Sequence, residues 1–170
     1  MDALVFDTSA ILNFGHRDDL QPLLARFGAL HRLFTTPEVV AELTDPARKP
    51  FYDSLLRTHF TVCAARSVAL DLATMARLAV AIDPGEISVI ALAHEMKAIA
   101  VIDERLARRK AATLGVRLTG TIGLLHDALQ KGWHTDAESL AKIHLLTASG
   151  FRIRRPGANE TFTEYFASLQ

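Results

Sequence analysis

The stretch AVIDERLARRK (residues 100–110) joins the two patterns that decide the fold. An apolar run, residues 98–102, has the length of a buried strand and stops at Asp103 and Glu104. Three arginines and a lysine with helical spacing follow at once. A buried strand that leads directly into a helix is typical of α/β proteins. The paired acids admit two interpretations: Asp103 caps the following helix, or the acids bind a positively charged ligand.

The same alternation of short apolar runs and helical patterns extends through most of the chain. Strands are predicted at residues 3–6, 33–35, 60–64, 98–102 and 116–118. Helices are predicted at residues 18–27, 37–43, 51–56, 67–82, 86–97, 104–114, 124–131 and 135–147. Strands that alternate with helices indicate a central, mainly parallel sheet with helices on both faces, which is a three-layer α/β/α sandwich. Residues 151–170 show only weak periodicity.

The composition excludes several classes of protein. The chain has 170 residues with equal numbers, 19 each, of basic and acidic side chains, so any nucleic-acid binding must be local. The single cysteine, Cys63, excludes a disulfide framework and a cysteine-based zinc site. The N-terminus lacks the pattern of a signal peptide, and no apolar run approaches the ~20 residues of a membrane span. These features predict a cytoplasmic protein that does not cross a membrane.

Two acids follow predicted strands at the point where each strand ends. Asp7 comes directly after the first strand, and Asp103 directly after the fourth. Parallel strands point their carboxyl ends to the same edge of a sheet, and ligands of open α/β sheets bind outside that edge. If the two strands are neighbours, the two carboxylates converge although they are far apart in sequence.

Two further acids border apolar elements. Glu42 lies at the margin of the apolar face of PEVVAEL (residues 37–43), and Glu86 begins a helix whose next turns are almost wholly apolar. Structural interpretations remain open for all four acids: a turn at Asp7, a surface position for Glu42, a helix-dipole position for Glu86 and a cap at Asp103. Four carboxylates in one pocket would repel one another, and a divalent cation removes that conflict. Ligands that offer only oxygen favour Mg²⁺ or Mn²⁺ over zinc.

Four segments of the chain resemble PIN-domain proteins, the family that includes the VapC-type toxins of bacterial and archaeal toxin–antitoxin pairs. They are FDTSAI (residues 6–11), PEVVAEL, DPGEISVIALA (residues 83–93) and VIDERLARRKAATLGVRLTGTIGLL (residues 101–125). The last segment, together with GFRI at residues 150–153, resembles an uncharacterised bacterial and archaeal branch with GE and GTxG motifs. The resemblance implies a single PIN-like domain, residues 1–150, followed by a C-terminal extension, residues 151–170.

The resemblance also implies a site. The acids that match the family's catalytic and metal-binding quartet are Asp7, Glu42, Glu86 and Asp103, with Glu104 as an additional or substitute ligand. Thr8 or Ser9 matches the small hydroxyl residue behind the first acid. Thr121, predicted to cap the helix at residues 124–131, is a further supporting residue. Many family members have Asp where this chain has Glu86, so direct and water-mediated metal binding both remain open for Glu86.

The implied activity is that of a Mg²⁺- or Mn²⁺-dependent endoribonuclease that cleaves single-stranded RNA with metal-activated water. The family resemblance further implies a homodimer, and an antitoxin protein as the partner of a toxin. Arg105, Arg108 and Arg109 are candidates for RNA binding, and the alternative is that they form a solvated helix face. Two rival functions are a non-catalytic PIN-fold binding or regulatory protein and a receiver-like phosphoacceptor. The second is disfavoured because Asp7 lacks an adjacent acid.

Overall fold

The computed structural model describes residues 2–15, 20–66 and 70–169. The chain forms two compact units, Met1–Gly120 and Thr121–Gln170. The predicted start of a helix at residue 67 lies outside the described residues. The division into a domain at residues 1–150 and an extension at residues 151–170 stays a prediction. Among the described residues, no helix is long and apolar enough to cross a membrane.

A five-stranded parallel sheet forms the centre of the first unit. Its strands are β1 (Ala3–Phe6), β2 (Arg32–Thr35), β3 (Thr61–Val62), β4 (Ile99–Val101) and β5 (Arg117–Thr119). Their order across the sheet is β3-β2-β1-β4-β5, and every adjacent pair is parallel. The predicted α/β class with a parallel sheet is confirmed. The prediction extended the third strand to residue 64, beyond the two residues of β3.

Helices connect the strands of the first unit. They are α1 (Thr8–Gly15), α2 (Gln21–Leu30), α3 (Pro37–Glu42), α4 (Lys49–His59), α5 (Leu72–Ala79), α6 (Pro84–Met96) and α7 (Arg105–Thr113). The prediction missed α1, because the polar residues after β1 resemble a turn. The described part of the helix predicted at residues 67–82 contains α5, which the Asp71 side chain caps by accepting a hydrogen bond from the Thr74 N–H at 2.8 Å. The α6 helix begins at Pro84, before the predicted start at Glu86.

The strand order creates a switch point between β1 and β4. From β1 the chain moves to β2 and β3 on one side, and it then returns to β4 and β5 on the other. Crossovers between parallel strands are right-handed in almost all proteins, and right-handed crossovers to the two sides of a strand place their helices on opposite faces of the sheet. Ligands of open α/β sheets bind in the crevice outside the carboxyl ends of the strands at such a point. Asp7 directly follows β1, and Asp103 lies two residues beyond the end of β4.

The core of the first unit anchors α1 to the sheet. Phe6 of β1, Phe14 of α1 and Phe27 of α2 are fully buried. Phe14 makes edge-to-face contacts with both other rings, at centroid separations of 6.3 and 6.4 Å. Burial of such a side chain stabilises the fold by about 1.5–3 kcal/mol. The aromatic contacts therefore hold the helix that begins immediately after Asp7 in a fixed position on the sheet.

The second unit contains α8 (Thr121–Gln130), α9 (Asp136–Ala148) and α10 (Phe162–Ala167). The first residue of α8 is Thr121, so Thr121 opens this helix instead of capping one that begins at Leu124. The prediction missed α10, which is short but buries Phe162 and Tyr165 completely. Residues 151–170 therefore contain an ordered helix in spite of their weak periodicity.

Candidate metal centre

Asp7 is almost completely buried at the end of β1, with 3% of its surface exposed. Its Oδ1 accepts a hydrogen bond from the Ala10 N–H at 2.8 Å, and the Ser9 hydroxyl donates to the carboxylate at 3.0 Å. The Asp7 side chain thus caps the first turn of α1. The Asp7 N–H donates to the Val101 carbonyl of β4 at 3.1 Å. Asp7 is therefore fixed both to its own helix and to the neighbouring strand.

The surroundings of Asp7 disfavour its negative charge. Burial is the largest cause that raises the pKa of Asp7 to about 7, and the negative charges of Asp103 and Glu86 add to the shift. Hydrogen bonds from Ala10 and Ser9 act in the opposite direction. Asp103 and Glu86 are thus each within electrostatic reach of Asp7. A cation among them would favour the charged form of Asp7.

The two acids that follow β4 have different structural roles. Glu104 caps α7, because its Oε2 accepts hydrogen bonds from the Ala107 N–H at 2.9 Å and from the Leu106 N–H. Asp103 instead accepts a hydrogen bond at Oδ2 from the Asn13 Nδ2 of α1, at 3.0 Å. The interpretation of Asp103 as the cap of this helix is therefore wrong. Its carboxylate remains oriented toward α1, the helix that Asp7 caps.

Glu42 is an exposed residue at the end of α3, yet both of its carboxylate oxygens have partners. Its Oε1 accepts a hydrogen bond from the Gly85 N–H at 3.0 Å, and its Oε2 accepts one from the Thr8 hydroxyl. Thr8 follows Asp7, and Gly85 precedes Glu86. The Glu42 carboxylate therefore lies beside the segments that carry two other predicted ligands.

Glu86 is half-buried in the first turn of α6. Its Oε2 accepts a hydrogen bond from the Asp83 N–H at 3.2 Å, and the two residues form a capping box. Burial raises the pKa of Glu86 most, and the negative charges of Glu104, Asp83 and Glu42 add to the shift, whereas the bond from Asp83 opposes it. Glu86 therefore has the structural role expected at a helix N-terminus and also belongs to the same group of charges.

The chemistry of these donors fits a hard divalent cation, although their present orientations do not enclose one. Within residues 2–15, 20–66 and 70–169, no group of three or more His, Cys, Asp or Glu side chains stands in a metal-binding arrangement. The carboxylates of Glu86 and Glu104 are turned onto backbone N–H groups of their own helices. Oxygen-only donors suit Mg²⁺ or Mn²⁺, and a cation would relieve the repulsion that raises the pKa of Asp7. Metal binding by this group stays a prediction.

Comparisons with known proteins identify the family. The family model described as "DUF3368: PIN domain" matches residues 3–164, which is nearly the whole chain. The chain belongs to the PIN-domain family. A solved structure, that of VapBC2 from Rickettsia felis bound to a DNA fragment from their promoter, contains a chain with a similar fold. The TM-score is 0.51 at 13% sequence identity, over 69% of this chain and 98% of that one. No protein in a search of curated sequences matches significantly.

The arginines of this PIN domain's α7 differ in their surroundings. Arg108 is half-buried, and its Nη1 donates to the Ile102 carbonyl at 2.8 Å and to the Thr119 carbonyl at 2.7 Å. This guanidinium therefore joins the chain beyond β4 to the end of β5. Arg105 and Arg109 are exposed. Binding of RNA by any of the three stays a prediction.

Three contacts of this PIN domain were not predicted from the sequence. They are the bond from Asn13 to Asp103, the approach of Glu42 to Gly85, and a contact of 2.6 Å between the hydroxyls of Thr36 and Ser88. One signal for the first was available, since Asn13 is a polar residue in the otherwise apolar stretch AILNF. The others join elements far apart in the chain, and the sequence of one protein does not indicate such pairs.

Proposed function

We propose that the protein is a Mg²⁺- or Mn²⁺-dependent endoribonuclease that cleaves single-stranded RNA. The observation that carries this proposal is the burial of Asp7 at the β1–β4 switch point, where its pKa is raised to about 7 partly by Asp103 and Glu86. A buried carboxyl whose charge is opposed by two other carboxylates suits a site that is completed by a cation. Membership of the PIN-domain family supports a nuclease of this type.

The chain's own residues would hold the cation and the substrate in place. Asp7 and Asp103 would supply ligands from neighbouring strand ends, and Glu42 and Glu86 would supply ligands from α3 and α6. When bound, the cation would lower the pKa of a coordinated water and stabilise charge on the phosphoryl oxygens. The hydroxyls of Thr8 and Ser9 would orient carboxylates, as they do for Glu42 and Asp7. Glu104 would become a metal ligand only if its carboxylate gave up the hydrogen bonds that it accepts at the N-terminus of α7.

The test is cleavage of a single-stranded RNA by the purified protein, with Mn²⁺, with Mg²⁺ and with EDTA. We expect metal-dependent products with 5′-phosphate and 3′-hydroxyl ends, because attack by water on phosphorus expels the 3′ oxygen. Asp103→Asn should reduce the rate by orders of magnitude. The control Asp53→Asn changes an exposed ion pair with Lys49 in α4 and should retain activity. Cyclic-phosphate ends, cleavage in EDTA, or an active Asp103→Asn protein would contradict the proposal.

A role as the toxin of a toxin–antitoxin pair is part of the proposal. The similar chain belongs to a VapBC2 complex, and on that basis an antitoxin protein is proposed as the partner of this chain. An RNA substrate would place its action in the cytoplasm. Self-association as a homodimer is also proposed, and light scattering at micromolar concentration would test it. A short adjacent gene that encodes a DNA-binding protein would support the toxin role.

A second candidate is a PIN-fold binding or regulatory protein without catalysis. The observation that favours it is the use of Glu86 and Glu104 as helix caps, which gives these acids a structural purpose. This candidate predicts no metal-dependent cleavage and no change of melting temperature with Mn²⁺. The RNA cleavage assay and a measurement of melting temperature with Mn²⁺ therefore distinguish the two functions.

A further inference from the structure

The second predicted acid, Glu42, is held by the N-terminus of a different helix. Gly85 is the second residue of α6, where the backbone N–H has no acceptor within the helix. This N–H donates to Glu42 Oε1 at 3.0 Å. A carboxylate at a helix N-terminus is also favoured by the helix dipole. The other oxygen, Oε2, accepts from the Thr8 hydroxyl, so neutral donors fix the Glu42 carboxylate without neutralising its charge.

Only glycine at position 85 permits this approach. A Cβ atom there would lie 2.8 Å from both Cδ and Oε2 of Glu42 and still closer to Oε1. The backbone of Gly85 does not require glycine, because its φ is not in the left-handed region. Alanine would ordinarily stabilise a helix at such a site. A side chain at position 85 would therefore displace the Glu42 carboxylate from the N-terminus of α6.

A partly buried pair of hydroxyls, those of Thr36 and Ser88, fixes α3 against α6 at the same junction. Thr36, the fully buried N-cap of α3, accepts a hydrogen bond from the Val39 N–H. Its hydroxyl lies 2.6 Å from that of Ser88, which donates to the Gly85 carbonyl at 2.7 Å. Thr36 must then be the donor to Ser88. This chain of hydrogen bonds joins the starts of the two helices and limits movement of α3 relative to Gly85.

We propose that Gly85 is a positioning residue for the metal site. By lacking a side chain, it allows the Glu42 carboxylate to rest on the α6 N-terminus, between the segments that carry Asp7 and Glu86. The consequence for metal binding rests on the proposed function. The steric relation between position 85 and Glu42 does not.

The test compares melting temperatures, in EDTA and across a Mn²⁺ titration, for five variants and the unmodified protein. The variants are Gly85→Ala, Glu42→Ala, the double variant, Gly28→Ala and Asp53→Asn. Gly28 is the matched control, since it is an exposed glycine in α2 whose added Cβ would meet only Leu33 Cδ1, at 3.8 Å.

In EDTA we expect Gly28→Ala to raise the melting temperature slightly, whereas Gly85→Ala should raise it less or lower it, because the exposed Glu42 side chain must move away and loses its hydrogen bond from the Gly85 N–H. In the Glu42→Ala background, Gly85→Ala should instead raise it, as Gly28→Ala does. Gly85→Ala should also require at least about tenfold more Mn²⁺ for the same stabilisation, which a general packing defect would not cause. If Gly85→Ala does not fold, the double variant should restore folding.

A change of melting temperature on Gly85→Ala that is the same with and without Glu42 would overturn the proposal. A destabilised Gly85→Ala protein with the full Mn²⁺ response would also overturn it, because Gly85 would then serve packing alone. Absence of any Mn²⁺ response in the unmodified protein would defeat the proposed function. In that case the difference between the Gly85→Ala effects with and without Glu42 would still test the steric relation.

Discussion

Asp7 and Asp103 follow the neighbouring parallel strands β1 and β4, and the negative charge of Asp103 helps to raise the pKa of the buried Asp7 to about 7. Both carboxylates are also attached to α1, since Asp7 caps this helix and Asp103 accepts a hydrogen bond from Asn13 at 3.0 Å. The two acids are therefore held together by the sheet on one side and by a helix on the other. An arrangement that maintains repulsion between carboxylates lowers stability in the absence of a cation.

The pH dependence of stability should reveal the buried Asp7. Its pKa is raised from 3.8 to about 7, so the folded state binds a proton more tightly than the unfolded state. The stabilisation that comes from protonation of Asp7 is therefore fully present below about pH 4 and is lost as the pH rises toward 7. The loss is up to about 4 kcal/mol. We expect Asp7→Asn to remove this loss when the free energy of unfolding is measured in EDTA between pH 4.5 and 7.5.

Comparison of the two pH profiles removes the contributions of titrating groups remote from Asp7, because these are common to both proteins. The Asp53→Asn variant provides a matched control, since Asp53 forms an exposed pair with Lys49 in α4. In Asp53→Asn the free energy of unfolding should change with pH as it does in the unmodified protein. Identical slopes for Asp7→Asn and the unmodified protein would show that Asp7 titrates normally.

Divalent cations should stabilise the folded protein at neutral pH. A cation that binds only the folded state contributes about 2.7 kcal/mol at a concentration of one hundred times its Kd. We expect Mn²⁺ to raise the melting temperature of the unmodified protein. Asp7→Asn should have a higher melting temperature in EDTA but no response to Mn²⁺. A full response in Asp7→Asn would exclude Asp7 as a ligand.

The adjacent acids Asp103 and Glu104 should have separable effects. Glu104→Ala removes the α7 cap, in which the side chain accepts hydrogen bonds from Leu106 and Ala107, and should lower the free energy of unfolding by about 1 kcal/mol. Asp103→Asn removes a charge that repels Asp7, so it should raise stability in EDTA slightly while it abolishes the response to Mn²⁺. Urea unfolding with and without Mn²⁺ distinguishes the two effects. A larger loss of stability from Asp103→Asn than from Glu104→Ala would contradict this assignment.

The sequence predicted the strands and the edge of the sheet where Asp7 and Asp103 lie, because buried parallel strands leave continuous apolar runs that end at polar residues. It offered Asp103 as a possible cap of α7 and did not consider Glu104, which is the cap in the structure. The partner of Asp103 is instead Asn13 of α1, which is remote in sequence. The α1 helix was missed for a related reason, since Asp7, Thr8 and Ser9 have the composition of a turn as well as that of a helix start.

The contacts that position Glu42 were also beyond prediction from one sequence. The motif that contains Gly85 and Glu86 was visible, but the reason for its glycine is the carboxylate of a residue in another helix. The same limit applies to Arg108. Its spacing suggested a solvated helix face or a phosphate contact, whereas its partners are backbone carbonyls at the carboxyl edge of the sheet. Local patterns indicate which residues are unusual, and tertiary contacts decide what they do.

The arginines of α7 should differ in their effects on stability and on RNA binding. Arg108→Ala leaves the carbonyls of Ile102 and Thr119 without their charged donor, and we expect it to lower the free energy of unfolding by about 2–3 kcal/mol. Arg105→Ala and Arg109→Ala change exposed side chains and should alter stability by less than about 0.5 kcal/mol.

If Arg105 or Arg109 contacts phosphate, its removal should weaken RNA binding and reduce the slope of log K against log salt by about 1. Urea unfolding and RNA titrations at several salt concentrations, with an Asp103→Asn background to prevent cleavage, measure both quantities. A stable Arg108→Ala protein with a reduced salt slope would instead identify Arg108 as a phosphate ligand.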